Sequence, residues 1–270
     1  MPLRFPHLPP VVYSIFDSVD VILHAGDMGE LWVLDQLSAI APVVAVHGND
    51  ETDEARQALP YQQIVAVGGH RLLLCHGHLP DRAAEMASRT GDDWRPKLAQ
   101  RARQAHEVGA RIMVFGHLHI PFVRHHEGVW LINPGAIASG NFLTRQTRQT
   151  VALLFLRDDG IPFVTFVNLA QPNMPYEPIV DWDAGFTAAA GCYSTSIADK
   201  AVTRATAALR DMPLFPDPRV IACISHLGMR RWRGETEDLI SMAELQAAID
   251  DAKDFTDAER GELLELICRA

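Results

Sequence analysis

Gly116-His117-Leu118-His119 sets two imidazoles two residues apart, directly after the apolar run 112–115. Side chains at i and i+2 can share a metal site when the backbone turns sharply, and Gly116 permits that turn. With 12 histidines in 270 residues, such pairs also arise by chance. Three earlier motifs make this one informative. Gly26-Asp27-Met28-Gly29, Gly48-Asn49-Asp50 and His76-Gly77-His78 precede it in that order. Each also follows an apolar, β-like run, at 21–23, 43–46 and 72–75. Four strand ends therefore deliver an aspartate, an asparagine and several histidines. Those donors suit divalent manganese, iron or zinc rather than calcium or magnesium.

The elements that must position these residues alternate. A strand over 19–23 leads through the Gly26–Gly29 loop to a helix near 30–39 and a strand over 42–46. Runs 64–67 and 71–75 flank Gly68-Gly69-His70 and predict a hairpin with a glycine turn. Over 96–108, Leu98, Ala102, Ala105 and Val108 recur at helical spacing, with Pro96 suited to a first turn. Strands at 112–115, 122–126 and 129–132 follow, then a hairpin of 151–156 and 163–167. The pattern predicts an α/β domain of two packed sheets. Past Leu169 a proline-rich, linker-like stretch over 171–178 precedes helices at 197–210, 218–229, 241–251 and 256–268. Ser241 with Glu244, and Thr256 with Glu259, have capping-box spacing. The expected organisation is a domain over 1–170 and a linker with helical extension over 171–270.

The ordered series Gly-Asp-x-Gly, Gly-Asn, His-Gly-His and Gly-His-x-His resembles the calcineurin-like metallophosphoesterases. It is most similar to their small bacterial and archaeal phosphodiesterase branch, which includes the retromer subunit of eukaryotes. The likeness runs from about 19 to about 156, and Asn133-Pro134-Gly135 matches the family's turn after the strand-like run 129–132. The resemblance implies a four-layer αββα sandwich. One departure stands at the start: the family opens with a strand ending in Asp-x-His, whereas Met1 here is followed by a proline-rich piece through Pro10. Proline cannot sit in a central strand, so the chain reads as beginning one strand late. His7 in that piece reads as surface rather than as a substitute ligand.

Carried over residue by residue, the family pattern puts Asp27, Asn49, His76 and His117 on the second of two metals. His119 joins the first, and the two oxygens of Asp27 suit a bridge between them. The intact family site holds two divalent ions, manganese preferred, with iron, zinc or nickel as alternatives. A hydroxide held between the metals attacks the phosphorus, with no side-chain nucleophile. Lacking Asp-x-His, the first site keeps only Asp27 and His119, and activity is expected to be impaired. Where family phosphatases place a histidine after Gly-Asn, this chain has Asp50. A carboxylic acid protonates a leaving group only if its pKa is raised, so Asp50 favours diesters or activated esters. His78 is expected to contact substrate or to support His76. Arg145 and Arg148 read as an exposed basic loop, and 230–233 as a solvated helix end.

Composition narrows the class. A hydrophobic share of 48%, a charged share of 21% and a formal net charge of −10 describe an ordinary globular chain without a basic nucleic-acid surface. No apolar run approaches the roughly 18 residues that span a bilayer. Four scattered cysteines without CxxC spacing read as reduced cytoplasmic thiols. The expected function is thus a metal-dependent phosphodiesterase acting on a small phosphoester or nucleotide. The alternative is a non-catalytic protein-interaction scaffold of the same fold, and a homo-oligomer stays open.

Overall fold

In the computed structural model, residues 7–138, 141–157, 159–210 and 218–269 are described. They group into two compact units: one of residues 1–138 with 147–193, the other of 139–146 with 194–270. This division differs from the expected boundary at 170. Tyr176 of the stretch read as linker, with Val180, Trp182 and Phe186 just after it, packs against the first unit's core. Trp182 lies 4.8 Å from the ring of Trp94.

The first unit is built on a five-stranded sheet of order β3-β4-β5-β7-β6. Its strands are β3 (Gln62–Val67), β4 (His70–Cys75), β5 (Ile112–Phe115), β6 (Phe122–His126) and β7 (Val129–Asn133). β4, β5 and β7 run parallel, while β3 and β6 pair antiparallel at the edges. The central strands are apolar on both faces because both faces are covered. Leu73, Cys75, Met113, Phe115 and Leu131 face one core, shared with Trp94, Leu98, Ala102 and Ala105 of α5 (Trp94–Glu107). Leu72, Leu74, Ile112, Val114 and Ile132 alternate into a second core, against which Leu23, Val44, Leu154 and Val164 pack.

Those partners belong to β1 (Ile22–His24) with β2 (Val43–Ala45), a parallel pair, and to the hairpin of β9 (Thr150–Phe155) and β10 (Phe163–Asn168). A third core joins Ile22, Ala45, Val151 and Val167 to Val12 of α1 (Pro10–Phe16) and to Val33 and Leu37 of α2 (Trp32–Ser38). Helix, strands, sheet and helix give the expected αββα layering.

Boundaries moved where a local signal outranked the apolar run. His70 opens β4, because the hairpin turns on Gly68 and Gly69 alone, both at positive φ. Two adjacent glycines satisfy the two left-handed positions of such a turn. The helix expected over 197–210 begins at Lys200 as α7 (Lys200–Arg210), because Asp199 Oδ1 accepts from Val202 N at 2.7 Å. Among the described residues, four helices arise where no helix was expected: α1, α3 (Asp53–Ala58), α4 (Arg82–Thr90) and α6 (Phe186–Gly191).

The second unit pairs β8 (Thr144–Gln146) with β11 (Ser194–Ser196) and adds α7, α8 (Pro218–Trp232), α9 (Met242–Asp251) and α10 (Asp257–Arg269). Its core includes Val202, Ile224, Leu245, Ile249 and Ile267. Both capping boxes form: Ser241 and Glu244 bond reciprocally, as do Thr256 and Glu259. Read as a solvated end, 230–233 instead buries Arg231 and Trp232, with Arg231 Nη2 3.0 Å from Glu244 Oε1. Arg145 pairs with Glu237 at 3.1 Å. Among the described residues no helix is long and apolar enough to cross a membrane.

Candidate metal centre

Close approach of four loops defines the site, and glycine is what permits it. A Cβ on Gly48 would lie 2.1 Å from Asp27 Oδ1 and 2.7 Å from Asp27 N. One on Gly26 would lie 2.8 Å from Gly48 N and 2.9 Å from His76 Nδ1, and one on Gly116 2.8 Å from Ala25 O. The loops after β1, β2, β4 and β5 therefore meet backbone to side chain. Asp27, His117 and His119 also hold φ of +59°, +64° and +58°. Such left-handed, non-glycine backbone is strained and gathers at functional sites.

Asn133 braces this end of the sheet from beneath. Its Nδ2 donates to Gly116 O at 2.6 Å, and its Oδ1 accepts from Gly135 N at 3.0 Å. Gly116 N in turn donates to His76 O. The Asn-Pro-Gly turn thus holds the backbone carrying His117.

Side-chain contacts run in series from Asp27 through His76 and His117 to Glu85. His76 Nδ1 is 2.7 Å from Ala25 O. A carbonyl only accepts, so the His76 Nδ1 carries a proton. His76 Nε2 then faces Asp27 Oδ2 at 3.2 Å and His117 Nδ1 at 3.2 Å. At its other edge His117 Nε2 lies 2.8 Å from Glu85 Oε1. That carboxylate accepts as well, which assigns the His117 proton to Nε2. Three lone-pair donors, Asp27 Oδ2, His76 Nε2 and His117 Nδ1, are left facing one another. Such a concentration of electron density calls for a cation.

Without a metal, a proton fills that role. Burial disfavours the charge on His76, yet the Asp27 carboxylate and its hydrogen bond outweigh burial and raise the imidazole's pKa. Asp27 is held well below the usual carboxylate range: burial opposes its ionisation, and the His76 charge and hydrogen bond overcome it.

A divalent ion fits the same donors. Around a tetrahedral ion with ligand bonds of about 2.0–2.1 Å, neighbouring donors lie about 3.3 Å apart, close to both 3.2 Å contacts. Among the described residues, no three His, Cys, Asp or Glu side chains already encircle one point. The contacts form a chain rather than a ring, so binding an ion takes a rearrangement from hydrogen bond to ligation.

The remaining predicted residues are placed as follows. His119 is half-buried and its charge acts on Asp27. Asn49 and Asp50 are exposed, and Asp50 N donates to Asp27 Oδ1 at 2.9 Å. His78 is buried with its ring 5.3 Å from that of His76, and its Nδ1 has no hydrogen-bond partner. Burial, then the neighbouring His76 and His117, lower its pKa to about 4. His7 is exposed.

Three residues outside the predicted set hold these loops. Glu51 Oε1 accepts from Gly48 N at 2.9 Å and from Met28 N at 3.3 Å, tying the two glycine loops together. Arg101 Nη2 donates to Gly77 O at 2.5 Å from within the core. Glu85 reaches the site from α4. Glu51 adjoins Asp50 in sequence and could have been noticed; nothing in the spacing of Arg101 or Glu85 marks them.

The chain is similar to known proteins in sequence and in fold. A probable metallophosphoesterase of Methanothermobacter thermautotrophicus is 32% identical over 136 residues, 50% of this chain and 71% of that protein. One of Methanocaldococcus jannaschii is 30% identical over 129 residues, 48% of this chain and 59% of that protein. Among solved structures, zinc-complexed wild-type Vps29 of Entamoeba histolytica aligns with a TM-score of 0.43 at 20% identity, covering 60% of this chain and 91% of that one. The calcineurin-like phosphoesterase superfamily domain matches residues 6–159, which hold all of the strand-end motifs, and this chain belongs to that superfamily.

Proposed function

We propose that the chain is a metal-dependent phosphoesterase that cleaves small phosphodiesters, nucleotides among them. The series of Asp27 Oδ2, His76 Nε2 and His117 Nδ1, each 3.2 Å from the next, carries this reading. Asp27, His76 and His117 would hold a divalent ion, joined by Asn49, with manganese the preferred occupant. When bound, the ion supplies Lewis acidity that neutralises phosphoryl oxygens and makes water acidic enough to serve as a nucleophile. His119, whose charge acts on Asp27, would be a donor toward a second ion. The other residues position and shield. Glu51 keeps the Gly48 loop against Asp27, and Arg101 keeps the His76–His78 loop in place. A neutral His78 beside the donors is suited to accept or donate one hydrogen bond to a phosphoryl oxygen or its leaving group.

Asp50 supports the diester preference. It is an exposed carboxylate where a leaving-group acid would be needed, and a monoester's poor leaving group depends on such an acid more than an activated diester does. Initial rates with manganese on bis-p-nitrophenyl phosphate and p-nitrophenyl phosphate test the reading. The diester should be cleaved faster, and His76→Ala should abolish turnover of both. Native rates in the His76→Ala variant would overturn the site assignment, and no turnover of either ester with any divalent metal would move the reading to a protein-interaction scaffold.

A further inference from the structure

Glu85 belongs to none of the strand-end motifs, yet its carboxylate is buried against one of their histidines. Oε1 lies 2.8 Å from His117 Nε2, and Oε2 accepts from Leu79 N at 2.9 Å. Glu85 is 8% exposed. The helix carrying it is anchored at both ends. Asp81 caps its start by accepting from Ala84 N at 2.7 Å, and buried Lys97 donates to Ser88 O near its end at 2.5 Å. The carboxylate is therefore delivered by a fixed element rather than by a loose side chain.

We infer that Glu85 is a positioning residue that holds His117 in the Nε2–H form, making Nδ1 the metal-binding atom. A neutral imidazole has one proton and one lone pair, so pinning the proton at one nitrogen commits the other to the ion. A carboxylate behind a ligating histidine also fixes the ring and raises its basicity. The Nδ1 so exposed is the atom 3.2 Å from His76 Nε2, on the side of Asp27. The consequence for metal rests on the phosphoesterase reading; the tautomer does not.

Long-range ¹H–¹⁵N NMR on the chelator-treated chain at pH 8 reads the tautomer directly, with His117→Ala assigning the signal. The expected result is a protonated Nε2 and a bare Nδ1, shifting toward a mixture in Glu85→Ala. Zinc affinity by chelator competition, without turnover, is the second readout. Glu85→Ala should loosen zinc about 10–100-fold. Glu85→Gln keeps an accepting oxygen in the same shape and should recover most of that loss. A proton on Nδ1 in the native chain would overturn the inference, as would zinc seated on Nε2 or native affinity in Glu85→Ala. If the native chain binds no zinc, the metal reading fails and the spectrum of the metal-free protein still decides the role of Glu85.

Discussion

At the residue scale, the site is a problem of proton count. Backbone and carboxylate acceptors place one proton on each histidine's outer nitrogen, and three lone pairs are left inside. Space is equally constrained at Gly48, where any Cβ meets Asp27 Oδ1 and its backbone nitrogen. Gly48→Ala should destabilise the fold by about 1–3 kcal/mol and lose metal, measured by denaturant melts and by metal analysis; native binding in that variant would refute the packing argument. The histidines also set a pH dependence. Burial lowers His24 to about 4, and His78 lies at about 4 as well. Both stay neutral in the fold while the unfolded chain takes up protons below about 6.5. The unfolded state then binds more protons, so stability falls with pH between about 6.5 and 4, by up to about 1.4 kcal/mol per pH unit for each group. His76 works in the other direction: its raised pKa adds stability as pH falls toward 6.5, all of it present below that value. Urea melts of the chelator-treated protein at pH 7, 6 and 5 should therefore show falling stability. A flat profile would contradict the neutral assignment of His24 and His78.

Elements differ in how openly the sequence announces them. β5 and β6 match their expected limits, because 112–115 is uniformly apolar and 122–126 sits between a proline and the Glu127-Gly128 turn. α9 and α10 were legible from their capping boxes. α4 was not: Arg-Ala-Ala-Glu-Met-Ala-Ser-Arg-Thr offers too few apolar anchors for a helical period, and only its Asp81 cap marks the start. Glu85 was hidden with it, so the proposed ligands could be read in sequence while the group behind His117 could not. The segment 171–193 misled by its prolines; its aromatic residues, Trp182 above all, are the part that packs. Asp81→Ala should cost about 1 kcal/mol and loosen metal with it, since α4 delivers Glu85. Ser241→Ala should cost a similar amount without touching metal affinity. Chelator competition on the two variants separates these outcomes, and equal metal loss in both would break the link between α4 and the site.

For the whole molecule, the metal question and the stability question are linked. An ion that binds only the folded state at one hundred times its dissociation constant adds about 2.7 kcal/mol of stability. Hydrogen exchange should place that gain at 26–29, 48–51, 76–78 and 116–119 in the first unit, and α7–α10 of the second unit should exchange as before. Protection spread evenly over both units would show that binding acts through something other than the strand-end loops. The most direct test of the central claim is metal content after equilibrium dialysis against manganese or zinc, on the native chain and on Asp27→Ala, His76→Ala and His117→Ala. The account predicts at least one tightly held ion on the native chain and its loss in each variant. Retention of the ion by all three variants, or a native chain that holds none, would contradict it.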